Sequence, residues 1–349
     1  MLELNVDSQS FVGWQDVRIV RSLDQAVSSF SFTATQHPDN VSQSLQPGTF
    51  CTITYDGITM ITGIIDSVEV AYGKNSHTLS VAGRSKTKDL VDCSVVNSSN
   101  EFNNLSIKKL VENIIGIYKV AVSGADDSTK IPTFKVEQNG EKCFESIQRI
   151  SETKAFRITD NPNGELLLTQ ASDVKSSNII DGSNVLSARM VLDESNKYSK
   201  ITVKGQARGS DDVNGIRATQ LSASAEDETI GRTRELIIHA QNDATNADVK
   251  KLAEWEVAAR SAKGFGISYT LQGWKGSAGK MWFENQLVPV RDKVLKVSDE
   301  YLIVSVEYVI GKGGTVVNLE LADPNAYVPK PKITKKSTKA ALGWDWDKT

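Results

Sequence analysis

Apolar and polar positions alternate along the first part of the chain. Cys51, Ile53 and Tyr55 interleave with Thr52 and Thr54, the period-two pattern of a strand with one buried face. Asp56-Gly57 separates that run from Ile58-Thr-Met-Ile61. A hairpin is predicted there, because a type I′ turn needs positive φ at both central residues. Val68–Tyr72 and His77–Ala82 flank a second turn at Gly73-Lys-Asn75. Strands this short and this closely spaced predict a small barrel or sandwich.

The period then changes. Ile107, Leu110, Val111 and Ile114 recur at helical spacing and predict a helix with one apolar stripe. Phe144, Ile147 and Ile150 do the same for Glu141–Thr153. Strands are predicted at 156–159 and 165–169, joined by the turn formers Asn161-Pro-Asn-Gly164. Residues 96–180 thus read as a small α+β unit. Residues 206–232, rich in Gly, Ser, Ala and Asp, read as a mobile loop. A helix is predicted over Asn246–Lys263, with Val249, Leu252, Trp255 and Ala259 inward and Gly264 supplying a left-handed C-terminal residue. Tyr301–Ile310 and Thr315–Leu321 read as the last strands. Beyond Pro329, Lys330, Lys332, Lys335, Lys336 and Lys339 precede Trp344 and Trp346, an extended tail without a core of its own.

One segment is echoed. Ser67-Val-Glu-Val-Ala-Tyr-Gly-Lys74 matches Ser305-Val-Glu-Tyr-Val-Ile-Gly-Lys312 at Ser, Val, Glu, Gly and Lys, and each copy is followed by a turn and a strand. The fold class expected is therefore β-rich α+β and multidomain, with two similar small β-barrels plus two small α+β units. The division is 1–95 for the first barrel and 96–180 for the α+β domain. The second barrel is split over 181–220 and 288–328, around an inserted α+β domain at 221–287, with the tail at 329–349.

Candidate chemistry changes this picture little. Lys and Arg number 40 against 43 Asp and Glu, so the near-neutral chain does not coat nucleic acid wholesale. No apolar run approaches the roughly 20 residues of a spanning helix, and stable membrane insertion is not expected. The N-terminus carries no secretory pattern. Cys51, Cys93 and Cys143 are odd in number and far apart, as reduced thiols would be. His37, His77 and His239 have no His or Cys at ligand spacing, so no metal is expected. Gly-x-Ser-x-Gly is absent, and Gly311-Lys-Gly-Gly314 lacks P-loop spacing. No cofactor is expected. A wall-degrading glycosidase would need two carboxyls across a cleft, and the candidates are Asp89 with Asp92, Asp211 with Asp212, and Glu226-Asp227-Glu228. The last two sets lie in the polar loop. Arg84, Lys86 and Lys88 form a basic cluster, but with no interleaved aromatics it reads as a solvated loop or as partners for Asp89 and Asp92.

Gly83-Arg-Ser-Lys-Thr-Lys-Asp-Leu-Val-Asp-Cys-Ser94 resembles the signature of Mu-like phage baseplate hub proteins, related to the late control protein D group. Trp14 with Val17-Arg-Ile-Val-Arg-Ser22, Gly63-Ile-Ile-Asp66, Gly140-Glu141, Lys204-Gly-Gln206, Arg232-Thr-Arg234, Trp255 with Arg260, Gly273-Trp274, Trp282 with Asn285, and Leu302–Val306 fall in the same order. The resemblance spans about residues 4–327. It implies a non-enzymatic homotrimer in which two barrels per chain form a pseudo-sixfold ring, joining the tail tube and other baseplate proteins to a central spike protein. DNA would pass through the central channel without sequence-specific binding, in a virion part assembled in the host cytoplasm. For the Gly83–Ser94 run two readings stand side by side: a barrel-closing strand running into a loop, with Gly83 needed for backbone shape, or subunit-interface residues at Arg84, Asp89 and Asp92, with Arg84 and Asp89 as a charged pair partly removed from water.

Overall fold

A computed structural model describes residues 1–35, 44–74, 76–96, 100–124, 130–137, 140–154, 156–206, 221–243 and 245–331. The strands β1 (Leu2–Val6), β2 (Gln9–Phe11), β3 (Asp16–Ser22), β4 (Ser29–Thr35), β5 (Phe50–Tyr55), β6 (Ile58–Gly73) and β7 (Ser76–Ser85) open the chain. Helix α1 (Lys88–Asp92) leads into β8 (Glu101–Leu105), α2 (Ile107–Ile114), β9 (Val122–Gly124), β10 (Ile131–Lys135), α3 (Cys143–Lys154), β11 (Arg157–Asp160) and β12 (Leu166–Thr169). Next come β13 (Val185–Leu192), β14 (Lys200–Gln206), β15 (Leu221–Glu226), β16 (Glu235–Asp243) and α4 (Asn246–Lys263). The chain closes with β17 (Phe265–Gln272), β18 (Leu287–Asp292), β19 (Val297–Gly311) and β20 (Gly314–Ala322).

Asp56 and Gly57 adopt φ of 50° and 77°, as the predicted turn requires. The β5–β6 hairpin pairs Tyr55 with Ile58 across it. Burial along β5, β7 and β20 alternates, and the inward set feeds one core. Leu4, Ile19, Phe32, Ile53, Trp282 and Leu319 all belong to that core.

Twelve strands form one sheet in the order β13-β17-β20-β19-β3-β4-β7-β6-β5-β1-β2, with β18 also on β19. Two sets of five strands repeat within it: β3-β4-β7-β6-β5 and β13-β17-β20-β19-β18. The echo lies in β6 and β19, and both carry a bulge one residue ahead of it. The register slips between Ile65 and Ser67 in one copy and between Ile303 and Ser305 in the other. A bulge bends a strand and raises its twist. The 15-residue β19 therefore hydrogen-bonds β18 through Val297–Leu302 and then β3 through Ser305–Ile310.

This corrects the expectation of two separate barrels. Neither set closes on itself, because β3 spends its second edge on β19, and the two sets share one sheet and one core. Helices α2 and α3, with strands β9, β11 and β12, enclose a second cluster built on Leu110, Val111, Ile147 and Leu166.

Contacts divide the described chain into Met1–Leu192 with Phe265–Pro329, and Asp193–Gly264 with Lys330 and Pro331. The insertion expected at 221–287 thus runs from Asp193 to Gly264, because β17 belongs to the large sheet and pairs β13 and β20. In the inserted unit, β14 lies between antiparallel β15 and parallel β16, and Val203 packs against Val249, Leu252 and Ala253 of α4. Leu221–Glu226, expected as loop, is a strand because it alternates in burial and pairs along β14. Thr245 and Asp248 form a capping box on α4, a Thr-x-x-Asp signal that the helical reading did not use. Gly264 is not left-handed (φ −75°). A Cβ there would lie 2.3 Å from the Asp193 carbonyl oxygen, so glycine is needed for close approach instead. His37, Asp211, Asp212 and the tail beyond Pro331 lie outside the described residues.

Candidate functional site

The Gly83–Ser94 run leaves the sheet at the end of β7 and enters α1. Gly83 lies where a Cβ would meet the Ile64 carbonyl oxygen and the Phe30 ring, each at 2.4 Å, so the strand stack permits no side chain there. Thr87 anchors the exit: its hydroxyl donates to the Ala26 carbonyl at 2.7 Å and contacts the Ser85 hydroxyl at 2.8 Å. Arg84 projects from β7 toward the bulge. Its Nε donates to Asp66 at 2.8 Å, while Nη2 and Nη1 grip both oxygens of Asp92 at 2.7 and 3.2 Å. Lys88 donates to the other Asp66 oxygen at 2.6 Å.

Asp89 is not a partner of Arg84; its backbone carbonyl accepts the Cys93 N–H at 2.9 Å. The pairing expected between Arg84 and Asp89 falls to Asp66 and Asp92, because the bulge turns Asp66 toward the arginine. Partial burial pushes the Asp66 carboxyl up, but hydrogen bonds from Arg84 and Lys88 outweigh it and hold the group below its ordinary range. Asp92 is held down chiefly by its Arg84 hydrogen bond. The Asp92 side chain is 45% exposed, so Asp92→Ala is expected to cost at most about 1 kcal/mol of stability in urea titrations.

A second cluster is fully enclosed. Along β3, Val17, Ile19 and Arg21 share the buried face, so period two places a guanidinium where an aliphatic group is ordinary. Its Nε lies 3.0 and 3.1 Å from the two Glu284 oxygens, and Nη2 lies 2.5 Å from one of them. Nη1 donates to the Met60 carbonyl at 2.9 Å and Nη2 to the Asp160 carbonyl at 3.1 Å. The Asp160 carboxylate stands 3.9 Å from Nη1 and accepts from the Ser28 hydroxyl at 2.8 Å. Burial raises the Asp160 pKa, and Arg21 offsets this only in part because Glu284 takes the fork of the guanidinium. Arg21 itself is held fully charged: burial opposes the charge, but Glu284 and Asp160 overcome it. One side chain thus ties β3 to β6, to β11 and to the segment between β17 and β18.

Two of the other candidate carboxylates, Glu226 and Asp227, are engaged locally. Glu226 pairs with Lys200 at 3.0 Å, and Asp227 accepts from the Thr229 amide and hydroxyl at 3.0 and 2.5 Å. The Asp227 pKa is lowered, since these hydrogen bonds outweigh its partial burial. Asp92 and Asp227 are therefore shifted opposite to the direction a general acid needs. In the inserted unit a cleft of about 440 Å³ is lined by Trp255, Glu256, Arg260, Lys263 and Lys330. There Arg260 holds Glu256 at 2.9 Å. His77 stacks on Tyr72 with ring centroids 5.9 Å apart. Among the described residues, no three His, Cys, Asp or Glu side chains are grouped as metal ligands. Among the described residues, no helix is long and apolar enough to cross a membrane. Cys51, Cys93 and Cys143 are free thiols.

The chain is β-rich and carries its five-strand motif twice in one sheet. Three family models match: Mu phage baseplate assembly protein GpP-like, N-terminal, over residues 1–85; baseplate hub protein gp44-like, second domain, over 87–170; and Mu phage baseplate assembly protein GpP, fourth domain, over 245–330. Baseplate hub protein gp44 of Escherichia phage Mu is 29% identical over 295 residues, covering 82% of this chain and 78% of that protein. The 43 kDa tail protein of prophage MuSo2 from Shewanella oneidensis has a solved structure with a TM-score of 0.80 and 28% identity, covering 95% of this chain and 99% of that one. The fold likeness extends to the E. coli c3393 protein, described as a component of the type VI secretion system with structural similarity to T4 tail proteins gp27 and gp5. It matches at a TM-score of 0.55 and 10% identity, over 95% of this chain and 80% of that one. The chain belongs to the Mu-like phage baseplate hub family.

Proposed function

We propose that three copies of this chain form the hub of a phage baseplate, a ring that presents six similar sheet motifs around one axis. The observation that carries this reading is the repetition of β3-β4-β7-β6-β5 as β13-β17-β20-β19-β18 within one chain. Two similar motifs in each of three subunits give six similar surfaces, which suits an adapter between a sixfold tube and a threefold spike. The tail tube, other baseplate proteins and a central spike protein are its partners in the virion. DNA passes through the central channel by backbone-level, sequence-independent contact. Arg84, Asp89 and Asp92 belong to the subunit contact, beside the bulge that opens the echo strand. The work of the protein is geometric and not enzymatic.

Sedimentation of the purified full chain tests the reading directly. The expected species has about three times the 38.1 kDa chain mass, and a peptidoglycan zymogram run alongside is expected to stay blank. A monomer that clears peptidoglycan would replace the hub by a wall glycosidase.

A further inference from the structure

The two strand sets can be aligned rung by rung. Val17, Phe32, Val81 and Val68 lie side by side across β3, β4, β7 and β6. Ala188, Tyr269, Leu319 and Val306 do so across β13, β17, β20 and β19. The next rung aligns Arg18, Ser31, Ala82 and Ser67 with Arg189, Ser268, Glu320 and Ser305. β13 is therefore the counterpart of β3, and the Ser67–Tyr72 half of β6 is the counterpart of Ser305–Ile310 in β19.

The counterparts differ in one respect. β3 and β19 pair with each other, from Ser305 opposite Ser22 to Ile310 opposite Val17. Among the described residues, β13 pairs only β17, and β6 beyond the bulge pairs only β7. Among the described residues, each of these two strands thus presents an open edge with unpaired backbone donors and acceptors.

Burial follows the same division. Tyr308 and Ile19 at the paired seam are 0% exposed, whereas Val70, the counterpart of Tyr308, is 52% exposed and Tyr72 81%. Leu186 and Leu192 on β13 are 56% and 67% exposed. Long, apolar, open edges are unstable features that proteins cover.

Charge follows it too. Across the seam, Arg18 donates through Nε to the Glu307 carboxylate. Their counterparts are Arg189 and Glu69, one on each open edge, and among the described residues neither has an ion partner.

We infer that these edges are two halves of one contact between copies of this chain. β13 of one copy pairs antiparallel with Ser67–Tyr72 of the next, in the register of the internal seam. Val70 then faces Met190, Tyr72 faces Ala188, and Glu69 meets Arg189. The occupant is a second copy and no other protein, because the complementary edge, the matching charge and the register template all sit in this same sequence. Such a contact is head-to-tail: it leaves one open edge at each end of a dimer, and only a closed ring satisfies all of them. Closure at three rests on the proposed function above. The pairing itself does not.

Cross-linking and mass together test the inference. A full chain carrying Val70→Cys and Met190→Cys, with Cys93→Ser to remove the partly exposed native thiol, is oxidised and run on a denaturing gel without reductant. Cysteines directly opposite across antiparallel strands lie within disulfide reach, and bands of two and three chains are expected. The pair Tyr72→Cys and Leu192→Cys is four residues out of register, about 13 Å along the strand, and is expected to stay monomeric on the gel. Glu69→Arg and Arg189→Glu are each expected to raise the concentration for half-assembly roughly tenfold, and the double exchange to restore it. Absence of cross-links from the first pair, or cross-links from the second alone, would overturn the pairing. If the wild-type chain still sediments as a trimer in that case, the hub reading stands and its contact lies elsewhere. Cross-links from the first pair, together with a wild-type chain that never exceeds a dimer in sedimentation, would support the edge pairing and sink the trimer.

Discussion

Arg21→Met is expected to lower the unfolding free energy by about 3–5 kcal/mol, because it leaves the Glu284 carboxylate buried without its counter-charge. The guanidinium is 1% exposed and the Glu284 side chain 9%, so water cannot take over the lost bonds. The Met60 and Asp160 carbonyls lose their donors as well, and an unsatisfied buried acceptor carries its own desolvation cost. Denaturant titration should show the midpoint falling with the slope unchanged. Arg21→Met combined with Glu284→Leu is expected to recover most of the loss, since an apolar pair of similar volume often equals a buried ion pair. A double variant as unstable as the single one would mean that packing, not charge, sets the cost.

Asp160 adds a pH dependence with a defined sign. Its folded-state pKa is raised, because burial penalises the carboxylate more than Arg21 stabilises it. A raised pKa means that the folded state favours the proton. The stability it contributes is complete below the unfolded carboxylate pKa and is lost as pH rises through the higher folded value. Asp160→Asn keeps the uncharged form at every pH, so its stability relative to wild type should improve as pH is raised. An unchanged difference between acidic and neutral pH would remove Asp160 as the cause.

Local features of this fold were legible in the sequence, and long-range pairings were not. The alternation of Cys51, Ile53 and Tyr55, the Asp56-Gly57 turn and the helix over Asn246–Lys263 depend on neighbours within one or two turns of chain. The echo at Ser67 and Ser305 was visible, and the bulge ahead of each copy gives it a structural basis. The β3–β19 seam was invisible, since residues such as Arg21 and Val306 meet across most of the chain length. The Arg21 cluster was hidden for the same reason: Glu284 and Asp160 lie 263 and 139 residues away. A lone arginine in phase with Val17 and Ile19 was its only local sign. At Arg84 the expected partners were Asp89 and Asp92; Asp92 does pair with it, and the extra residue at the bulge delivers Asp66 where Asp89 was expected. The insertion was set too late because Phe265–Gln272 reads as a strand of either unit until its partners are known.

Trp274→Ala is expected to be the other severe change, at about 3–5 kcal/mol. Trp274 is 1% exposed and stands between the two repeats. Its ring packs on Tyr55 of β5 at 4.8 Å and edge-on against Tyr308 of β19 at 5.3 Å. Its indole N–H donates to the Val309 carbonyl at 3.1 Å, beside the β3–β19 seam. Removing the indole opens a cavity that these rings cannot fill without leaving their rotamers, and strands fixed in ladders on both sides limit collapse. Coupling should identify this aromatic bridge. Tyr55→Ala and Trp274→Ala together should cost less than the sum of the single changes by about 0.5–1.5 kcal/mol, the excess value of an aromatic pair. Strict additivity in thermal or urea unfolding would show that each ring only fills its own repeat. Since the seam is the template for the contact between copies, a chain loosened at Trp274 should also assemble less tightly than its residual stability alone predicts.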